Sequence, residues 1–248
     1  MKNKFFTYIQ NLQDHIVAGL EAVDGQAKFK EDLWERPEGG GGRTRVIENG
    51  KVFEKGGVNI SAVHGKLPEA MQKMFNVGEA DFFACGLSLV LHPKSPMVPT
   101  VHANWRYFEM YDENENVIQQ WFGGGQDLTP YYLFEEDAMH FHQTCKTACD
   151  KHNPEFYPKY KKQCDTYFWN AHRNEARGIG GLFFDYCKET ESMKMQDWFN
   201  FVCSNCRKKK RITLYSSTKN LARNSSWSLC RVQFSARQRH TIWLKNQR

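Results

Sequence analysis

The chain has 248 residues, 40% of them hydrophobic and 14% aromatic, enough to bury the core of one large domain and too many for an intrinsically disordered chain. No apolar run approaches the ~20 residues needed to cross a bilayer, so no membrane span is expected. The net charge of +6 hides an asymmetry: Trp198 to Arg248 holds 12 Lys and Arg and no Asp or Glu, whereas residues 1–197 carry 22 basic against 28 acidic groups. An acidic body is joined to a purely basic tail, and that tail does not by itself establish nucleic-acid binding.

Phe5, Ile9, Leu12, Ile16 and Leu20 recur at helical spacing, with Asp14, His15 and Glu21 between them. This predicts an amphipathic helix stopped by Gly25 rather than a signal peptide, and with it a cytoplasmic location. The segment Trp34–Val46 contains four consecutive glycines, which resist regular structure and let backbone approach something flat or bulky. Val52–Gly65, Phe82–His92 and Val98–Asp112 read as strands. A second glycine cluster follows in Trp121–Tyr132. Two helices are predicted over Glu135–Lys151 and Phe156–Arg177, and Gly178–Tyr186 returns to strand. Strands and segregated helices without a repeated βαβ spacing predict an α+β fold with a large antiparallel sheet flanked by helices on both sides. The eight cysteines follow no disulfide pattern and read as reduced, small hydrophobic side chains.

The chemistry concentrates on Val98–Asp112. Period two puts His102, Asn104 and Arg106 on one face and Val101, Ala103, Trp105 and Tyr107 on the other. Ser88 and His92 share a face of the preceding strand. A half-exposed sheet would alternate in the same way, but such surfaces use Lys, Glu and Thr more than His, Asn and Arg. Arg173 and Arg177 stand four apart at the end of a predicted helix, a pair suited to holding an anion or, alternatively, one paired by Glu175 on a solvated face. Asp127 follows three glycines on a predicted loop, where it reads either as a ligand contact or as a turn aspartate. His92, His102, His142 and His172 match no zinc spacing, yet could form a metal site.

The blocks WERPEGGGGRTRVIENGKVFEKGGVNISAVHG, SLVLHPKSPMVPTVHANWRYF, WFGGGQDLTPYY and YFWNAHRNEARGIGGLFFDY resemble the oxygen-dependent coproporphyrinogen III oxidases, in that family's order and over most of residues 30–190. The resemblance implies a homodimeric enzyme that oxidatively decarboxylates two propionates of coproporphyrinogen III to vinyls, giving protoporphyrinogen IX. Dioxygen is the co-substrate and no organic cofactor is used. A possible divalent metal would be held by His92, His102, His142 and His172. Carried onto this chain, the catalytic set is His102, Asp127 and Arg106, with His102 as general acid or base and Asp127 accepting pyrrole N–H groups. The substrate-binding set is Ser88, Asn104, Trp105, Arg106, Arg173 and Arg177, the arginines holding propionates.

The family pattern stops near Cys203, where terminal strands are expected. Read one nucleotide later, Trp243 to Arg248 can encode GLKTNG, and continuing back to Asn220 permits a run that matches the missing block. The sequence therefore predicts an incomplete family domain over residues 1–203 and an out-of-frame basic tail over 204–248, with a catalytically inactive, degenerate member as the alternative. A frame break also accounts for Cys203-x-x-Cys206 and the basic run Arg207–Arg211, which otherwise suggest a metal- or nucleic-acid-binding protein.

Overall fold

A computed structural model describes residues 1–207. The elements are α1 (Lys2–Asp24), β1 (Lys30–Glu35), β2 (Gly40–Glu48), β3 (Phe53–Lys66), α2 (Glu69–Phe75), β4 (Asp81–Pro93) and β5 (Thr100–Tyr111). They continue with β6 (Val117–Thr129), α3 (Glu135–Cys149), α4 (Phe156–Tyr167), β7 (Trp169–Asn170), β8 (Glu175–Ala176), β9 (Gly180–Cys187) and α5 (Met195–Arg207). Seven strands form one antiparallel sheet in the order β1-β2-β3-β4-β5-β6-β9, and β7 pairs with β8 in a small hairpin. The α+β architecture with helices on both faces agrees with the sequence reading.

The two faces are covered unequally. Helices α1, α3, α4 and α5 lie on one, where Phe5, Ile9, Leu87, Trp105, Tyr107, Phe122, Phe141, Phe184 and Phe201 form a continuous core. Each is essentially inaccessible to water, and each buried side chain of this size contributes about 2–3 kcal/mol. On the opposite face, α2 covers only one end, packing Met71 and Phe75 on Ala84, Phe108, Met110 and Trp121. Among the described residues the rest of that face is open except where Tyr167 stacks on Phe183 and Phe168 meets the His102 ring.

Helix α1 ends as predicted: Gly25 adopts φ 71° and donates its N–H to Glu21 O. The adjoining Asp24 carboxylate accepts backbone N–H bonds from Ala27, Lys51, Val52 and Phe53, tying the helix end to the β2–β3 turn.

Three sequence expectations are corrected. The first glycine segment is not irregular but forms the β1–β2 hairpin, because neighbouring backbone closes over it. A Cβ on Gly40, at φ 85°, would sit 2.2 Å from Ala62 O, and one on Gly42 would meet the Trp34 indole at 2.4 Å. The second glycine cluster belongs to β6, so Asp127 stands on a strand and not on a loop. The helix expected to reach Arg177 ends at Tyr167. The chain then turns through β7 and β8, aided by Asn174 at φ 51°, a left-handed conformation that asparagine tolerates.

Helix α5 continues past 203. Ser204 Oγ meets His152 Nε2 at 3.0 Å, and the buried Asn205 donates to Phe201 O. The expectations for the remainder of the tail, including the frame break and the missing strands, lie outside the described residues. Cys85, Cys145, Cys149, Cys164, Cys187 and Cys203 are free and buried, in line with the reduced reading.

Candidate functional site

Strand register builds the open face in transverse rows. One row runs Thr44, Asn59, Ser88, Asn104 and Gly125 through β2, β3, β4, β5 and β6. The next places Ser61, Gly86, Arg106 and Gly123 side by side, and the one on the other flank places Val90, His102, Asp127 and Gly181. Ser88, His102, Asn104 and Arg106 thus share the face, as the alternation of β5 predicts. Glycine at the register position beside Arg106 makes room for side chains of the site: a Cβ on Gly123 would meet both Arg106 and Asp185.

At the centre stands a buried carboxylate with two basic partners. Asp127 Oδ1 is 2.7 Å from His102 Nδ1, and Arg177 contacts both carboxylate oxygens through Nη2 at 2.7 Å and Oδ2 through Nε at 3.1 Å. The Asp127 side chain is only 3% exposed, whereas those of His102 and Arg177 are 27% and 35% exposed. Burial pushes the Asp127 carboxyl up, but hydrogen bonds and charge from His102 and Arg177 outweigh it, and the group is held below the ordinary carboxylate range. Arg177 also stacks on Phe168, its guanidinium carbon 3.5 Å from the ring centroid, and Phe168 meets the His102 ring edge-on. Asp127 accordingly fixes the His102 ring through Nδ1 and leaves Nε2 as the imidazole's other proton-carrying atom.

A second pair lies along the same face. Arg106 Nη2 donates to Asp185 Oδ2 at 2.6 Å, and Nη1 approaches Asn104 Oδ1 at 3.4 Å. Sequence reasoning missed Asp185; its signal was a single acid inside the apolar strand GLFFDY.

Not every expected residue joins the site. Trp105 is fully buried in the helix-covered core, so a ligand on the open face cannot touch it; strand alternation puts it there between Asn104 and Arg106. Arg173 does not form an anion clamp with Arg177. It stands exposed in the β7–β8 turn, 2.7 Å from Glu175, while Arg177 turns inward to Asp127. Nor do the four histidines form a metal centre. His142 contacts Ile179 O and Tyr157 Oη, His102 contacts Asp127, His92 faces Thr100 and His172 is exposed at the turn. Among the described residues no three His, Cys, Asp or Glu side chains gather where they could hold a metal ion. A divalent metal does not fit this set.

No described helix is long and apolar enough to cross a membrane. The family model for coproporphyrinogen III oxidase matches residues 4–240. The oxygen-dependent coproporphyrinogen-III oxidase of Drosophila melanogaster is 52% identical over 217 residues, covering 84% of this chain and 54% of that protein. The mitochondrial enzyme of Homo sapiens is 50% identical over 216 residues, covering 84% and 47%. Coproporphyrinogen-III oxidase 1, chloroplastic, of Arabidopsis thaliana is 50% identical over 196 residues, covering 75% and 50%. The chain spans about half the length of the curated relatives it matches. With the family model spanning most of its length and about half of the aligned residues identical to these enzymes, the chain belongs to the coproporphyrinogen III oxidase family.

Proposed function

We propose that this chain carries out the oxidative decarboxylation of two propionates of coproporphyrinogen III, giving protoporphyrinogen IX with dioxygen as acceptor. The observation that carries the reading is the buried Asp127 bridged to His102 and Arg177, on the same sheet face as Arg106. A tetrapyrrole with four carboxylates needs guanidinium partners and polar groups spread along one face, and Arg106, Arg177, Asn104 and Ser88 supply them here.

For each propionate, a C–H bond on the carbon attached to the pyrrole breaks and its electron pair passes to dioxygen. The bond to the carboxylate then breaks, its electrons form the vinyl double bond, and carbon dioxide leaves. Dioxygen takes up the two electrons with two protons, one from the broken C–H bond and one from solvent, and leaves as hydrogen peroxide. Electron-rich pyrroles react with dioxygen directly, so the reading invokes no organic cofactor.

In this scheme His102 moves protons at Nε2, and Asp127 holds its ring and stabilises the charged imidazole. Arg106, with Asn104 and Ser88, receives a substrate carboxylate. Because Arg177 and His102 already occupy Asp127, a direct contact between Asp127 and a pyrrole N–H requires Arg177 to withdraw. Assembly as a homodimer belongs to the same proposal. So does a cytoplasmic location.

The test is turnover of coproporphyrinogen III in air, followed as protoporphyrin fluorescence, by this chain beside a version with the frame of residues 204–248 restored. Product from this chain supports the catalytic reading. Product from the restored version alone supports the inactive, degenerate alternative, and product from neither overturns the assignment.

A further inference from the structure

Strand β9 departs from regular pairing at one point. Phe122 pairs with Cys187 and Gly124 with Phe184, so Asp185 and Tyr186 together face the single residue Gly123. This is a β-bulge, a device that re-aims side chains. Here it returns Cys187 to the helix-covered core while Asp185 points to the open face. The bulge has a conformational cost, because Tyr186 takes φ 52°, a left-handed conformation unfavourable for an aromatic residue. In return the Tyr186 N–H donates to Asp185 Oδ1 at 2.9 Å, so the carboxylate is fixed by backbone independently of Arg106. Its other oxygen meets Arg106 Nη2 at 2.6 Å. The floor beneath is cut to fit: a Cβ on Gly123 would sit 2.5 Å from Asp185 Oδ1 and 2.8 Å from Arg106 Nε.

From this geometry we propose that Asp185 is a built-in counter-anion for Arg106, a positioning residue that leaves one guanidinium edge for a substrate carboxylate and keeps that carboxylate exchangeable. The inference rests on the tetrapyrrole reading above. The cluster of Asp127, Arg177 and His102 follows the same logic, since each arginine on this floor has its own carboxylate. A guanidinium without such a partner would hold a polyanion tightly and release product slowly. Asp185 Oδ2 shares Arg106 Nη2, and Nη1 stays beside Asn104 as the donor for the incoming carboxylate. The occupant is thus a carboxylate reaching Arg106 Nη1 from the open side of the sheet.

The experiment compares Asp185→Asn with the parent full chain, using coproporphyrin III, a stable fluorescent tetracarboxylate, as the binding probe. Removing the charge while keeping the shape should lower the Kd by roughly fivefold and steepen its salt dependence, because the substrate becomes the sole anion on Arg106. Asp185→Glu should restore parental affinity. If Asp185 merely holds Arg106 in place, Asp185→Asn raises the Kd; that result overturns the proposal, as do an unchanged Kd and a failure of both proteins to bind. Should the Asn variant not fold, Asp185→Ser decides by the same readout. Turnover of coproporphyrinogen III by the parent is measured alongside. Binding without turnover breaks the functional reading alone, whereas turnover with the wrong order of affinities breaks only the role of Asp185.

Discussion

The two faces of the sheet use the same strands for different ends. On the helix-covered face, β5 contributes Val101, Ala103, Trp105 and Tyr107, buried among aromatic and aliphatic side chains. On the open face the intervening residues are His102, Asn104 and Arg106; His102 and Arg106 are paired with acids from β6 and β9, and Asn104 lies beside Arg106. The apolar face carries the stability, so the polar face is free to hold half-buried charges and bare glycine, which weaken a strand. Substitutions one position apart on β5 should therefore fail in different ways.

The largest effect on the open face is expected for Asp127→Ala. It strips His102 of its orienting partner and leaves Arg177 beside an empty pocket, and turnover should fall by about 100-fold or more while the protein still folds. Steady-state rates with circular dichroism check this, and activity above about a tenth of parent would remove Asp127 from the mechanism. On the covered face, Trp105→Ala should cost about 3–5 kcal/mol through the cavity it leaves, seen as a lower denaturation midpoint with activity lost only through unfolding.

A smaller, pH-dependent effect belongs to Asp24. Burial raises its carboxyl, but the four backbone N–H bonds outweigh this and depress the folded-state pKa well below the ordinary range. A depressed carboxylate stabilises fully above the unfolded value of about 4 and loses that contribution as pH falls through the folded value. Thermal melts of Asp24→Asn should accordingly start lower at neutral pH and fall less steeply than the parent between about pH 5 and 3. The smallest effect is expected for Arg173→Ala, which removes one exposed ion pair with Glu175 and should change stability by less than about 1 kcal/mol and turnover hardly at all. A large loss of turnover in Arg173→Ala would blur the line between site and surface drawn here.

The sequence made the two faces legible where alternation is regular. Its β5 pattern placed His102, Asn104 and Arg106 together, and the apolar stripe of α1 located the core. It was silent where the backbone breaks period. The bulge at Asp185 and Tyr186 cannot be read from an apolar strand, so the counter-ion of Arg106 was missed. In the sequence the turn after Tyr167 reads as continued helix, and Arg173 and Arg177 as a matched pair, because polar residues at three- and four-residue spacing imitate a helix face. The glycine runs looked irregular because their order comes from neighbouring strands such as β1 and β3, whose contacts are remote in sequence.

The division of labour is tested most directly by replacing His102 with alanine and measuring coproporphyrinogen III turnover and thermal stability on the same preparation. The expected result is a rate roughly 100-fold below parent with an unchanged melting midpoint, because His102 serves the open face and the core does not depend on it. A rate within tenfold of parent, or a rate loss that only tracks a collapse in stability, would contradict it.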